Sequence, residues 1–124
     1  MEKWIYLISG GIVGTVARYV FAGAVYEKFG AGFPYGTLVV NLSGCFLIGF
    51  LDALSAEKFL LSSNLRLFLM TGFCGAYTTF STFMLETSNL LKDGETWPAF
   101  WNAAASVAAG FVVFRLGVLL GKII

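Results

Sequence analysis

The stretch Gly72-Phe73-Cys74-Gly75-Ala76-Tyr77-Thr78-Thr79-Phe80-Ser81-Thr82-Phe83 decides the fold. It is small, polar and aromatic at once, yet it sits inside an apolar run reaching from about Arg66 to Leu91. A helix crosses a bilayer core with roughly 20 predominantly apolar residues, at about 1.5 Å each, so this run is long enough to span. Thr78 falls near its middle. Two glycines followed by two threonines at that depth loosen a helix, and carbonyls freed there persist only where protein, water or an ion satisfies them. Close crossing of two helices through small residues would also use such a string. The reading adopted here is a mid-membrane break in the third helix that binds something.

Three more apolar runs surround it: about Trp4 to Tyr26, about Pro34 to Ser55, and about Trp97 to Gly121. Of the 124 residues 58% are hydrophobic and only 12% charged, with a mean hydropathy of +0.82. A water-soluble domain, about a quarter charged, covers itself with twice as many. The expected fold is therefore an all-α membrane protein, residues 1–124 forming a single domain of four transmembrane helices. The first run lacks a small-residue cleavage site and continues past Arg18, so it reads as a retained span. Short connections fit: Glu27 to Gly32 is a charged, glycine-rich turn, and Lys92-Asp93-Gly94-Glu95 closes the third run. Trp4, Tyr26, Tyr35, Trp97 and Trp101 fall near the ends, as an interfacial aromatic belt would.

Net charge is +1 with no basic run and no acidic tail, so nothing points to nucleic acid or to a polyanionic partner. Histidine is absent, which removes histidine metal sites, histidine proton relays and serine–histidine hydrolases, and no other nucleophile–base pair suggests an enzyme. Cys45 and Cys74 lie singly in apolar runs and read as packing residues. The loop cations divide almost evenly: Lys3, Lys58, Arg66, Arg115 and Lys122 on one side, Arg18, Lys28 and Lys92 on the other. Either the termini face the cytoplasm by a narrow margin, or the chain inserts both ways and pairs as an antiparallel, dual-topology homodimer. In such a pair the two-fold axis lies in the membrane plane, where carbonyls from two mid-depth breaks can jointly cage a cation.

Phe80 and Phe83 are spaced i,i+3 on one helix face, interleaved with Ser81 and Thr82. They serve either as packing or as anion ligands, because the edge of an aromatic ring is electropositive. Weak ligands suit conduction, since an anion held by a buried Arg enters and does not leave. Asn41, with Thr37 one turn earlier, is either interhelical glue or a donor to a passing anion. Asn102 and Ser106, spaced i,i+4, form a possible polar track on the last helix. Arg18, Glu86 and Arg115 lie away from helix centres, so snorkelling to the interface is their default. Arg18 has a second reading as the lining of an anion-attracting vestibule. Gly10 and Gly14 make a GxxxG pair, a packing signal.

Three strings carry a resemblance: Gly14-Thr15-Val16-Ala17-Arg18-Tyr19, then Gly36-Thr37-Leu38-Val39-Val40-Asn41-Leu42-Ser43-Gly44, then Gly72 through Glu86. Together they resemble the Fluc (CrcB) family of microbial fluoride channels, over nearly the whole chain. The resemblance implies an antiparallel homodimer in the cell inner (plasma) membrane that passively exports cytoplasmic fluoride through two pores. It also implies a structural sodium ion at the dimer centre, held by backbone carbonyls matching Gly75 and Thr78. By the same match Phe80, Phe83, Asn41, Ser81, Thr82 and Thr37 line the fluoride pore, and Arg18 and Glu86 lie at its vestibule or end. The helix-four track differs, with Asn102 and Ser106 where relatives tend to place a tyrosine and serines.

The competing expectation is a small multidrug-type, proton-coupled cation exporter, also short, four-helical and of dual topology. That chemistry needs a membrane-embedded acid. The first run has none after Glu2, and Glu86 is the only candidate elsewhere. A structural subunit of a larger complex would show uniform apolar faces instead of Thr, Ser, Phe and Asn gathered at one depth.

Overall fold

The computed structural model describes residues 1–124, and every regular element in it is helical. Helix α1 runs from Glu2 to Phe29 and stops at Gly30, whose φ of 82° only glycine adopts freely. Helix α2, Tyr35–Ala56, starts directly after Pro34, which cannot extend a helix backwards. A turn containing Phe59 follows, then α3, Ser63–Arg66, whose first turn is capped by the Ser62 hydroxyl accepting from the Leu65 N–H at 3.2 Å. The chain continues as a π-helical segment, Leu67–Cys74, and a last short turn, α4, Gly75–Tyr77. Thr78 and Thr79 are extended, with ψ angles of 157° and 116°. Helix α5, Phe80–Lys92, and helix α6, Thr96–Ile123, complete the chain.

Three of these helices, α1, α2 and α6, are long and apolar enough to cross a membrane. The break expected in the third run is present, between α4 and α5. Its glycines are not the break. Gly72 lies within the π-helical segment and Gly75 within α4, and the chain opens only at the two threonines. Threonine tolerates this because its β-branched side chain favours extended backbone and its hydroxyl can replace a lost backbone partner.

The helices pack in two close pairs, α1 against the π-helical segment and α2 against α6. Glycines make both seams. A Cβ on Gly10 would overlap the Phe68 carbonyl and one on Gly14 the Phe73 carbonyl, so the GxxxG pair acts as a packing face. Across the other seam Gly49 faces Phe114, while Gly117 and Gly121 face Phe46 and Phe50. Outside these seams the chain exposes large apolar side chains along α1 and α6, among them Ile5, Ile8, Ile12, Val107, Phe111 and Leu116. That is the arrangement expected of helices solvated by hydrocarbon.

This packing has a measurable consequence. Gly117→Ala puts a methyl group into backbone and should destabilise the protein by about 1–3 kcal/mol, read as a lower melting temperature in detergent. Gly11→Ala, which meets nothing within 4 Å, should leave that temperature unchanged or raise it.

Candidate functional site

The break is held open by side chains from two other helices. Asn41 on α2 clamps Thr79 with both ends of its amide: Oδ1 accepts the Thr79 N–H at 2.8 Å and Nδ2 donates to the Thr79 carbonyl at 3.0 Å. The side chain thus does for Thr79 what a neighbouring strand would do, and the Thr79 N–H is turned away from the Gly75 carbonyl four residues back. Arg18 on α1 donates from Nε to the Ala76 carbonyl at 3.0 Å. Inside the third segment the Thr78 hydroxyl donates to the Cys74 carbonyl at 2.9 Å, and the Thr79 hydroxyl accepts the Thr82 N–H at 3.2 Å as the cap of α5. Gly44, one turn after Asn41, lets α2 approach, because a Cβ there would overlap the Thr78 methyl.

Two clefts flank the break, and Thr79 lines both. The larger, of about 690 Å³, brings together Arg18, Thr37, Thr82 and Glu86. The smaller, of about 330 Å³, brings together Asn41, Gly75, Thr78, Phe80, Phe83 and Ser106. Ser81 lines neither and is exposed at the start of α5.

The two phenylalanines share the smaller cleft but not one environment. Their ring centroids are 5.7 Å apart with planes inclined at 51°, yet Phe80 is 73% exposed and Phe83 only 6%. The helix-four pair also divides. Ser106 faces the smaller cleft, with a buried hydroxyl that has no hydrogen-bond partner. Asn102 is buried and donates to the Thr87 hydroxyl at 2.9 Å, which in turn donates to the Phe83 carbonyl at 2.7 Å. Asn102 therefore fastens α6 to α5 behind the cleft.

Residues 5–118 match the family described as CrcB-like protein, Camphor Resistance (CrcB). The chain belongs to the CrcB family. Among its curated relatives, the fluoride-specific ion channel FluC of Chlorobium phaeobacteroides is 47% identical over 93% of this chain and 89% of its own length. The fluoride-specific ion channel FluC of Chlorobaculum tepidum is 47% identical over 99% of this chain and 97% of its own. The protein of the same name from Solidesulfovibrio magneticus is 42% identical over 100% and 99%.

In this CrcB chain the snorkelling default fails for two of the three charges. Arg115 is exposed. Arg18 is half-buried on the Ala76 carbonyl, because the break leaves that oxygen in need of a donor and the guanidinium reaches it. Glu86 is half-buried too, with Oε2 accepting from the Tyr26 hydroxyl at 2.6 Å and Oε1 buried without a partner. Tyr26, expected in the aromatic belt, is thus part of the CrcB site, and its oxygen also lies 3.3 Å from the Thr37 hydroxyl. Tyr77 was passed over as well. Buried, it shares a hydrogen bond of 2.9 Å with the Ser43 hydroxyl, and its ring stacks on Phe73. The signal available in the sequence was a phenol within an apolar run, where a buried hydroxyl needs a partner.

Proposed function

We propose that this membrane protein is a passive, fluoride-selective channel. The observation that carries the reading is that relatives named for that activity match it over essentially the whole chain. The site supports it physically. Around the break stand phenylalanine rings, hydroxyls and one unused Asn41 amide hydrogen, with no Lys or Arg in the smaller cleft. Such ligands replace the hydration of a small anion in many weak steps and do not trap it. Phe80, Phe83 and Asn41 line the ion path from the smaller cleft and Thr37 and Thr82 from the larger, Ser81 joins them from its exposed place at the start of α5, Ser106 extends the path along α6, Asn102 supports that wall, and Arg18 and Glu86 mark its outer end.

The two half-helices together make a fourth crossing, and the protein works as an antiparallel homodimer of dual topology in the plasma membrane. The weak bias of the loop cations, five against three, and the half-open clefts favour this, since one copy encloses no pore by itself. Gly75 and Thr78, lining the smaller cleft at the break, fit a structural sodium ion in one respect. With the Thr79 N–H taken by Asn41, the Gly75 carbonyl is left without its helical partner four residues on, and hard cations select oxygen ligands. Bound between two copies, sodium would supply fixed positive charge that holds the pair together. No cluster of acidic, cysteine or histidine side chains offers a rival metal site.

The cation-exporter reading loses its footing. Its one candidate acid, Glu86, is engaged by Tyr26 at the side of a cleft, and the family match points elsewhere. Purified protein in liposomes, with fluoride and chloride efflux followed by ion-selective electrodes, tests the channel: fluoride passes and chloride does not. Efflux that requires a proton gradient would return the exporter. A single cysteine placed at one terminus, in a background lacking Cys45 and Cys74, should be labelled from both sides of the membrane in intact cells. Labelling from one side alone would end the dual-topology proposal.

A further inference from the structure

The elbow between α2 and α3 carries a backbone conformation that its sequence does not favour. Phe59 is the only non-glycine residue with a positive φ, at 53°, and the Leu60 N–H beyond it turns back to the Leu54 carbonyl at 3.0 Å. Helices commonly end on such a left-handed residue, but the place suits glycine, and the other two positive-φ positions are Gly30 and Gly94. A phenylalanine persists there only where its surroundings hold it. The chain itself supplies little, since Phe59 is 84% exposed and Leu60 66%.

The place of the elbow says what covers it. The 22 residues of α2, at about 1.5 Å each, cross a hydrocarbon core of about 30 Å, so its last turn ends at the membrane surface. Glu57 pairs there with Lys122 at 3.2 Å, the only ion pair in the chain. Lys58 is left exposed and unpaired beside the two apolar side chains. Helix α1 begins at the same end, where Gly10 meets Phe68, and Lys3 lies over the exposed Trp4 ring at 5.6 Å from its centroid. Apolar side chains beside a free ammonium match the headgroup boundary, which takes the first among acyl chains and the second among phosphates.

We propose that Phe59 and Leu60 form an interfacial anchor, inserted beneath the headgroups of anionic phospholipid with Lys58 on their phosphates. Burying two apolar side chains in lipid offsets the left-handed backbone at Phe59. It also holds the elbow at a fixed depth where the chain turns toward the π-helical segment and the break. The anchor requires a membrane-spanning chain and is indifferent to which ion passes.

A single-tryptophan protein reads the depth: Phe59→Trp in a background of Trp4→Phe, Trp97→Phe and Trp101→Phe, each a replacement of an exposed ring. In vesicles of phosphatidylcholine and phosphatidylglycerol, bromines near the headgroup end of the acyl chains should quench its emission more than bromines near the bilayer centre. Acrylamide in the water should quench it little, as insertion by about 5–10 Å requires. Leu60→Trp in the same background is a second probe with the same expected pattern. Quenching by lipid should weaken in phosphatidylcholine alone, and Lys58→Gln should weaken it in the mixed vesicles. Quenching of both probes by acrylamide without quenching by bromine would leave the tip in water. Protection from both quenchers would put protein on it, a second copy of the chain included. Either result overturns the proposal, as does equal lipid quenching with and without phosphatidylglycerol. If the parent protein passes no fluoride, the channel reading fails while the quenching still decides this one.

Discussion

Asn41→Leu is expected to abolish fluoride efflux while leaving a helical, membrane-inserted protein of lower stability. Leucine has a similar volume but offers neither the acceptor for the Thr79 N–H nor the donor for the Thr79 carbonyl. Each orphaned backbone group costs about 1–3 kcal/mol where no water replaces the partner, so together they favour closing the break toward continuous helix. A change of about 2.7 kcal/mol in the barrier is a hundredfold in rate, and flux should fall by at least that factor. Asn41→Asp separates two roles. It retains the acceptor for the Thr79 N–H but sets a carboxylate oxygen against the Thr79 carbonyl and a negative charge on the path. Fluoride efflux at the parental rate from Asn41→Asp would show that the amide donor serves neither the break nor the ion.

The sequence carried the architecture because membrane helices announce themselves by length and apolarity. The expected ends of the first, second and last helices fall within a few residues of the observed ones, which is as close as cap-free boundaries allow. The break was legible as a place, since Gly72, Gly75, Thr78 and Thr79 are all poor helix residues at mid-run. Its exact position was not. Opening at Thr78 and Thr79 is decided by Asn41, Arg18 and Gly44, three residues distant in sequence that meet the third segment only in the folded chain.

The site divided in the same way. Residue types chosen for chemistry, such as Asn41, Phe80 and Ser106, do gather in one cleft. What pattern reading missed is which polar groups are already spoken for. Asn102 and Ser106 look alike as a stripe, yet one is tied to Thr87 and the other has a free, buried hydroxyl. Tyr26 looks like a belt aromatic because only its partners, Glu86 and Thr37, reveal that its hydroxyl is used inward. A hydrogen-bond partner is a property of the packed molecule, and helical periodicity does not encode it.

Phe80→Ile and Phe83→Ile are expected to lose most fluoride flux for reasons that differ in their side effects. Fluoride is small and strongly hydrated, so the path must offer many weak replacements for water, and a ring edge is one that carries no charge. Isoleucine keeps apolar bulk and removes that edge. If each edge lowers the barrier by some 1.4 kcal/mol, each variant should lose about tenfold in efflux. At Phe80, 73% exposed, the ring meets Phe83 but little of it is buried, so stability in detergent should stay close to that of the parent. At Phe83, 6% exposed and packed beside the Asn102–Thr87 link, isoleucine also alters a filled site, and the melting temperature should fall as well. Helix packing alone predicts that flux follows stability, with Phe80→Ile unaffected and Phe83→Ile impaired. The ion-ligand reading predicts that the exposed ring matters as much as the buried one. Parental efflux from Phe80→Ile would therefore return the pair to packing.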